Sequence, residues 1–412
     1  MSLTCRLCGQ ALHTTFVDLG MSPLSNAYLR RDQLDGMEPF YPLHVRVCDR
    51  CLLVQVPELQ KPEAIFGDQY LYFSSYSESW LRHCEAYAAM AVDRFSLGPG
   101  SLVVELASND GYLLQFFRQR GIPVLGVEPA ANVAQVARET RGIPTEVAFF
   151  GTRTAARLCA EGRQANLIVG NNVLAHVPDL RDFVRGMQQL LKPGGLITVE
   201  FPHLMRLVEG NQFDTIYHEH FSYFSFRTAR QAFALAGLEV FDVDEWPTHG
   251  GSLRVYARHA GERGPASSPR VQALIDRERA AGYDDLAFYG RFRPQVERVK
   301  RDLLAFLIGA RRRGQRIVGY GAAAKGNTLL NYCGVREDFV EYVVDRSPHK
   351  QGWFLPGTHI PIRAPEAIDE TRPEYVLILP WNLRDEIFGQ SARIRDWGGR
   401  LVVAIPSLEI LL

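Results

Sequence analysis

Short apolar runs that alternate with helical patterns fill the middle of the chain, and they constrain its fold more than any other feature. The apolar runs cover residues 102–106, 124–128, 166–170 and 196–201. Amphipathic helical spacing fills the gaps, at residues 111–120, 130–141, 152–161 and 179–191. Because strands that alternate with helices form βαβ units, this pattern predicts a parallel sheet covered by helices. Two further runs, 238–243 and 252–257, lack an intervening helix and predict a hairpin at the sheet edge.

A second pattern of the same kind begins near Arg316, with apolar runs at residues 317–320, 340–344, 375–379 and 401–405. A polar stretch at 261–292 precedes it and predicts a helical linker. Since 412 residues exceed one ordinary domain, we expect three parts. They are an N-terminal module over 1–73, an α/β nucleotide-type domain over 74–260 and a second, Rossmann-like α/β domain over 261–412.

Four cysteines near the start form two Cys-x-x-Cys hooks, Cys5 with Cys8 and Cys48 with Cys51. Two such hooks that face each other complete a tetrahedral zinc site. Disulfides or unrelated thiols are the alternatives. The predicted zinc is structural, because four thiolates leave no open coordination position.

The composition argues against two classes of partner. Lys and Arg number 46 and Asp and Glu number 46, so the formal net charge is zero, whereas nucleic acids and anionic membranes attract a basic excess. The chain has no apolar run long enough to predict a membrane span, and its start lacks a signal-peptide pattern. We therefore expect a cytoplasmic protein with a small-molecule substrate, without nucleic acid or membrane.

The loop after the first strand of the α/β pattern has the features of a nucleotide site. Glu105 ends the strand, and small residues, including Ala107, Asn109 and Gly111, lead into the next helix. A ligand can approach the backbone there. Glu128 ends the second strand, where a carboxylate can accept hydrogen bonds from both ribose hydroxyls. The alternative is a plain strand-to-helix turn with a solvent-facing Glu128.

Two later segments favour a class I methyltransferase. The usual loop of that class has three glycines, and here Ala107 and Asn109 replace the first two. Yet Asn171-Asn172-Val-Leu-Ala-His176, after the apolar run 166–170, and Leu191-Lys-Pro-Gly-Gly195, before the run 196–201, resemble later motifs of the class. We therefore expect a class I methyltransferase sheet that binds S-adenosylmethionine (SAM).

A cluster of ionisable residues, Tyr217-His218-Glu219-His220, follows the apolar run 196–201. Segments after the carboxyl ends of parallel strands line the ligand crevice, and histidine is suited to proton transfer near neutral pH. The cluster therefore predicts base catalysis, with a surface loop or a metal site as alternatives. If the segment is extended, His218 and His220 face the same side.

The chain resembles the sugar C-methyltransferases of deoxysugar biosynthesis. The matching motifs are the two cysteine hooks, Glu105-Leu-Ala-Ser-Asn-Asp-Gly111, Tyr217-His-Glu-His220, His249-Gly-Gly-Ser-Leu-Arg254 and Gly319-Tyr-Gly-Ala-Ala-Ala-Lys325-Gly-Asn327. The resemblance implies methyl transfer from SAM to C3 of a nucleotide-linked 4-keto-6-deoxy sugar, with dTDP as the expected nucleotide.

The resemblance also assigns residues to roles. His220 is implied as the base, with Tyr217, Glu219 and His176 beside it. The implied SAM contacts are Glu105, Ala107, Asn109, Gly111, Glu128, Phe149 and Asn171. The implied substrate contacts are Tyr72, Tyr76, His218, Lys325 and Asn327.

Two rival interpretations remain open at the level of sequence. Gly319-Tyr-Gly321-Ala-Ala-Ala324 follows a strand and matches a dinucleotide fingerprint, and Asp345 ends the next strand as a ribose ligand would. These features predict an NAD-dependent nucleotide-sugar oxidoreductase. The altered loop glycines also permit a zinc-containing binding protein without catalytic activity.

Overall fold

The computed structural model of the protein describes residues 3–60, 73–264 and 266–411. In chain order the strands are β1 (Thr14–Ser22), β2 (Tyr41–Val47), β3 (Val54–Gln55), β4 (Val103–Leu106), β5 (Val124–Val127), β6 (Thr145–Glu146), β7 (Ala165–Asn171), β8 (Leu191–Pro202), β9 (Ser222–Tyr223), β10 (Leu238–Trp246), β11 (Ser252–His259), β12 (Ile317–Tyr320), β13 (Val343–Val344), β14 (Ile362–Arg363), β15 (Tyr375–Ile378), β16 (Arg400–Val403) and β17 (Glu409–Leu411). The α-helices are α1 (Glu78–Arg94), α2 (Leu114–Gln119), α3 (Ala131–Arg141), α4 (Thr152–Ala160), α5 (Leu180–Leu190), α6 (Leu204–Glu209), α7 (Phe226–Leu235), α8 (Pro269–Ala280), α9 (Leu286–Tyr289), α10 (Phe292–Arg312), α11 (Ala324–Cys333), α12 (Ala367–Thr371) and α13 (Arg384–Gln390).

The central sheet has seven strands in the order β10-β11-β8-β7-β4-β5-β6. All neighbouring pairs from β8 to β6 are parallel, and β11 is antiparallel to both of its neighbours. This is the class I methyltransferase fold that the sequence predicted. The predicted hairpin is confirmed as β10 and β11, with β10 at the edge.

Local sequence explains why the helices cover this sheet. In α5, Leu180, Phe183, Val184 and Met187 are buried at helical spacing, so one face of the helix packs on the strands. Asp179 caps its N-terminus, where the side chain accepts a hydrogen bond from the backbone amide of Asp182, three residues later. The apolar face of α5 is thus buried on the sheet, and one backbone amide at its N-terminus has a hydrogen-bond acceptor.

A second sheet of six strands lies in the C-terminal part, in the order β14-β13-β12-β15-β16-β17. Its first five strands are parallel, and β17 adds an antiparallel edge. The strand expected over 340–344 is shorter, because only Val343 and Val344 pair with neighbours.

The stretch predicted as a helical linker is helical, and it packs against the methyltransferase domain. Within 261–292 the chain forms α8 and α9, and Glu278 of α8 is buried. Its carboxylate accepts hydrogen bonds from the ring of His203 and from the backbone amides of Phe226 and Arg227 at the start of α7. This polar contact, which periodicity alone does not reveal, ties the stretch to the methyltransferase sheet.

The N-terminal part forms a small antiparallel sheet in the order β1-β2-β3-β9. Its last strand, β9, comes from far along the chain, directly after the His218–His220 cluster. Phe16 of β1 stacks on Phe292 of α10 with ring centroids 4.7 Å apart, within a core shared with the C-terminal sheet. The N-terminal part therefore holds the cluster where it meets the two larger sheets.

Among the described residues, no helix is both long and apolar enough to cross a membrane.

Candidate active site

A cavity of about 360 Å³ opens where the three parts of the chain meet. Segments from both larger sheets and from the N-terminal part line it. Of the residues proposed from sequence, the lining includes Ala107, Asn109, Glu128, Phe149, Asn171, His176, Tyr217, Glu219, His220 and Lys325.

The loop after β4 keeps the backbone shape that glycines would give it. Ala107 has a φ of +54°, Asn109 of +48° and Gly111 of +77°. All three positions where the usual loop has glycine therefore adopt left-handed conformations, which for alanine cost about 1 kcal/mol. Asparagine tolerates this region better. Ala107 and Asn109 therefore change the side chains of the loop, but the backbone keeps the conformation that the glycines of the class I methyltransferase loop would give it.

Glu128 is buried at the end of β5 and is bonded to the same loop. Its carboxylate accepts hydrogen bonds from the backbone amides of Asn109 and Ala130, each 2.9 Å long. Burial raises its pKa to about 7, against the effect of these two bonds. The carboxylate lies on the cavity wall and keeps lone pairs for hydroxyl donors of a ligand.

Tyr217 and His220 are brought together by a tight turn. The backbone amide of His220 donates to the carbonyl of Tyr217 at 2.9 Å, and the two rings lie 4.0 Å apart. Nδ1 of His220 donates to the carbonyl of Thr215 at 2.8 Å, so Nε2 accepts the hydrogen bond from the Tyr217 hydroxyl, also 2.8 Å. The turn thus leaves the basic nitrogen of His220 facing the tyrosine hydroxyl.

The surroundings keep His220 neutral. Burial lowers its pKa well below the ordinary value, and the positive charges that His176, His249 and Lys325 can carry lower it further. The ring of His176 meets that of His220 edge-on, with centroids 4.6 Å apart. Burial also lowers the pKa of His176 to about 4. Both imidazoles are therefore uncharged near neutral pH.

Glu219, between the two histidines in sequence, is held by the N-terminal part. The side-chain amide of Asn26 donates to its carboxylate at 2.6 Å. Burial raises the pKa of Glu219 to about 7. Asn26 lines the cavity and was not predicted, since nothing in its local sequence marks it.

Lys325 stands in the first turn of α11 and also lines the cavity. Its ammonium group donates to the Asn382 side chain at 2.6 Å and lies 4.7 Å from the centre of the Trp381 ring. Asp214 accepts a hydrogen bond from Trp381 at 2.8 Å, and burial raises its pKa to about 7, partly offset by the charge of Lys325. A second lysine, Lys350, also lines the cavity and was missed from sequence.

Among the described residues, five that were proposed to contact SAM or substrate lie outside the cavity lining. Glu105 is fully buried beneath the loop, and Gly111 packs against Ile143. His218 points the other way, because the turn directs its ring toward Tyr41 and its Nε2 toward the carbonyl of Pro42.

Asn327 and Tyr76 also do not reach the cavity. The Asn327 side chain is buried and donates to the carbonyl of Ser25 at 2.6 Å, joining α11 to the N-terminal part. Tyr76 is exposed, and its hydroxyl lies 3.2 Å from the ring of His349. Tyr72 lies outside the described residues.

The four cysteines of the two hooks converge as predicted. Their sulfur atoms all lie within 4.8 Å of one another, with Cys5 and Cys51, and likewise Cys8 and Cys48, 3.5 Å apart. A tetrahedral zinc with Zn–S bonds of about 2.3 Å needs sulfur atoms about 3.8 Å apart, so the donor set fits. The Gln55 amide donates to the Cys5 sulfur at 3.2 Å, as suits a thiolate.

Comparisons with known proteins agree with this architecture. Residues 5–66 match a family model described as "Putative zinc binding domain", and residues 80–243 match one described as "Methyltransferase domain". Residues 247–406 match a model described as "C-methyltransferase C-terminal domain". The C-methyltransferase NovU of Streptomyces niveus is 37% identical over 407 residues, which cover 99% of this chain and 96% of that protein. The chain belongs to the SAM-dependent C-methyltransferase family.

Other relatives match only about a quarter of this C-methyltransferase. The ubiquinone biosynthesis O-methyltransferase of Methylobacterium sp. is 31% identical over 110 residues, which cover 25% of this chain and 43% of that protein. The family decides against the two rival interpretations, an NAD-dependent oxidoreductase and a protein without activity. The cofactor is SAM, and the metal of the N-terminal module is zinc.

Asp345, the expected ribose ligand of the dinucleotide fingerprint, does not line the cavity that Glu128 lines. Its carboxylate accepts hydrogen bonds from the backbone amides of Ala322 and Ser347, at 2.7 and 2.8 Å. Ala323 and Ala324 of the fingerprint line the same cavity as the loop after β4. The second α/β domain of the C-methyltransferase therefore contributes one wall to a shared site.

Proposed function

We propose that the C-methyltransferase transfers the methyl group of SAM to C3 of a nucleotide-linked 4-keto-6-deoxy sugar, with dTDP as the first nucleotide to test. The observation that carries this proposal is the partly buried Tyr217–His220 pair. It supplies a neutral base in a cavity that has a class I methyltransferase loop on one wall and two lysines on another. A carbon acid needs such a base, whereas transfer to a phenol or an amine does not require carbon deprotonation.

Glu128 and the loop after β4 are the proposed holders of SAM. The carboxylate of Glu128 would accept hydrogen bonds from the ribose hydroxyls, and the backbone of Ala107 and Asn109 would lie along the methionine part. The ring of Phe149, on the same wall, offers a face for the adenine, and Asn171 ends the neighbouring strand. When bound, SAM supplies an electrophilic methyl group on a sulfonium ion.

Lys325 and Lys350 are proposed to bind the diphosphate of the sugar nucleotide. Lys325 belongs to the first turn of the ten-residue helix α11, whose N-terminal amides favour anions, and Ala323 and Ala324 open that end to the cavity. The ammonium of Lys350 donates to the carbonyl of Ala322 at 2.7 Å, beside the same loop. Two cations and a helix end match the two negative charges of a diphosphate.

His220 is proposed as the base. The bound sugar would displace the Tyr217 hydroxyl, which donates to Nε2 in the ligand-free enzyme. Nε2 then accepts the proton from C3, and the electron pair of the broken C–H bond delocalises onto the oxygen at C4. The carbonyl of Thr215 holds Nδ1–H and so fixes the tautomer that leaves Nε2 basic. The enolate carbon then attacks the methyl group, a C–C bond forms, the C–S bond breaks and S-adenosylhomocysteine leaves.

The test is mass spectrometry of products from a panel of sugar nucleotides with SAM. The panel varies the nucleotide, dTDP against UDP and GDP, and compares 4-keto sugars with their 4-hydroxy counterparts. We expect a gain of one methyl group on a 4-keto sugar only, located at C3 by NMR. Methylation of the 4-hydroxy sugars, or of oxygen in place of carbon, would overturn the proposal.

A further inference from the structure

A short turn over Thr248–Gly250 brings His249 into the cavity in a strained conformation. The φ of His249 is +55°, in the left-handed region that non-glycine residues rarely adopt. Such a conformation is strained and persists only where the surroundings fix it. Neither the base nor the lysine wall described above uses this residue.

Hydrogen bonds on several sides fix the turn. The Thr248 hydroxyl donates to the carboxylate of Glu200 at 2.8 Å, and the Gln212 amide donates to the carbonyl of Gly250 at 2.7 Å. A side chain at Gly250 would begin 2.5 Å from Trp381, so only glycine lets the turn pack this closely.

Glu200 is in turn held inside a buried group of charges. Nε2 of His83 lies 2.9 Å from its carboxylate, and the guanidinium of Arg254 forms a buried ion pair with it. Burial favours the neutral acid, yet His83 and Arg254 outweigh it and hold the pKa of Glu200 below its ordinary value. The ionised carboxylate of Glu200 therefore holds the turn through the hydrogen bond that it accepts from Thr248.

The imidazole of His249 faces the cavity with a defined tautomer. The Asn172 side-chain amide donates to Nε2 at 3.0 Å, so the ring hydrogen is on Nδ1. The Trp80 ring lies 5.2 Å away, edge to face. None of the described residues accepts a hydrogen bond from Nδ1, although the surroundings fix the rest of the ring. Burial, followed by the charge of Lys325, lowers the pKa of His249 to about 4, so it stays neutral.

His249 lines the cavity together with residues from both halves of the site. Asn172, its partner, directly follows the strand β7 on the side of the loop after β4. His220 lines the same cavity, so both imidazoles border the space in which the proposed function places the sugar ring and the methyl group. A donor on His249 is therefore available to a sugar from which His220 takes a proton.

We propose that Nδ1–H of His249 donates a hydrogen bond to the C4 oxygen of the sugar and stabilises the enolate. This inference rests on the proposed function. As the C3 proton moves to Nε2 of His220, negative charge grows on the C4 oxygen and the hydrogen bond strengthens. The imidazole keeps its proton, and the carbonyl re-forms when the C–C bond to the methyl group is made. A neutral imidazole in this role stabilises the oxyanion without protonating it.

The test compares His249→Ala with wild-type enzyme on the 4-keto sugar nucleotide that the panel identifies. Methyl transfer is measured with SAM, and exchange of the C3 proton for solvent deuterium is measured with S-adenosylhomocysteine. Loss of one oxyanion donor lowers turnover by about a hundredfold or more. We expect that loss in both measurements, with the KM for the sugar nucleotide within about twofold and SAM affinity unchanged. Lys325→Ala should show the opposite pattern, a raised KM.

His359→Ala is the matched control, since His359 also has a left-handed φ, of +56°, but contacts Glu38 away from the cavity. It should keep turnover. His249→Asn is the second variant if the alanine variant does not fold, because asparagine tolerates a left-handed backbone conformation. The asparagine amide is shorter than the imidazole, so turnover should still fall by at least about tenfold.

Each remaining outcome overturns a specific statement. Normal exchange with lost methyl transfer, or weakened SAM binding, would assign His249 to the methyl donor and overturn the inference. Near-normal turnover of the His249 variants would overturn it as well. Wild-type enzyme without exchange or transfer on any 4-keto sugar would overturn the proposed function, and the inference would fall with it.

Discussion

The guanidinium group of Arg6 donates to the backbone carbonyl of Phe221, the residue that follows His220. Arg6 stands inside the first cysteine hook, between Cys5 and Cys8, and its other terminal nitrogen donates to the carbonyl of Val56 at 2.8 Å. The zinc module is thus joined to the turn that carries the proposed base. The first cysteine hook is far from His220 in sequence, but the side chain of Arg6 connects the hook directly to the residue that follows His220.

Replacing Arg6 should therefore affect turnover without affecting the donor site. Arg6→Ala leaves the Phe221 carbonyl without its donor and lets the turn shift, and small displacements of a catalytic group can reduce rates by on the order of a hundredfold. We expect kcat to fall by about tenfold or more, while SAM affinity by calorimetry stays within about twofold. Arg181→Ala is the matched control, because Arg181 donates to the Leu7 carbonyl of the same hook but not to the turn. Equal losses in both variants would show that the hook matters only for folding.

Removal of zinc should disturb the same contact between the N-terminal module and the turn that carries His220. Elemental analysis of the purified enzyme should give about one zinc per chain. Because the sulfur cluster closes the module that carries β1–β3, chelation should unfold that module and reduce methyl transfer. Near-ultraviolet circular dichroism with and without chelator, followed by zinc re-addition, measures the loss and its recovery. A metal-free enzyme with full turnover would contradict the assignment.

His220 and His218 should differ sharply when each is replaced by asparagine. His220→Asn removes the proposed base and should lower both methyl transfer and solvent deuterium exchange by on the order of a hundredfold or more. His218→Asn should leave both within a few-fold, since that ring faces Tyr41 outside the cavity lining. SAM calorimetry checks that both variants fold. The reverse pattern would move the base two residues upstream.

Glu128 and Asp345 test which α/β domain binds SAM. Both carboxylates end a second strand and accept backbone amides of the adjoining loops. Glu128→Ala should weaken SAM binding by about tenfold or more, because hydrogen bonds to a charged group contribute about 1.5–3 kcal/mol each. Asp345→Ala should leave SAM affinity within about twofold. Calorimetry of both variants decides, and a larger effect at Asp345 would contradict the proposed donor site.

The buried carboxyl of Glu219 should make the stability of the ligand-free enzyme depend on pH. Its pKa is about 7 in the folded chain and about 4.3 when unfolded. The folded state therefore binds more protons between these values, and the stabilising contribution is lost as pH rises from about 4 to about 7. Glu219→Gln lacks this titration. Urea denaturation at about pH 5 and about pH 7.5 should show a fall in unfolding free energy that is roughly 2 kcal/mol larger in the wild type. Parallel pH dependence of the two proteins would contradict the raised pKa.

Spacing along the chain determined the zinc hooks, the alternation of strands and helices and the acid at the end of β5. Each of these depends on residues within a few positions of one another, where backbone geometry leaves little freedom. The same holds for the loop after β4, since its course survives the replacement of two glycines by Ala107 and Asn109.

Tertiary packing alone decided which side chains meet in the cavity. The cluster at 217–220 forms a tight turn instead of an extended segment, so Tyr217 joins His220 and His218 faces away. Asn26 reaches Glu219 across 193 positions of the chain, and no local pattern encodes such a distance. Periodicity records only which face of an element is buried. The identity of the partner depends on how three separately patterned parts pack, and that is fixed by the summed burial of their cores.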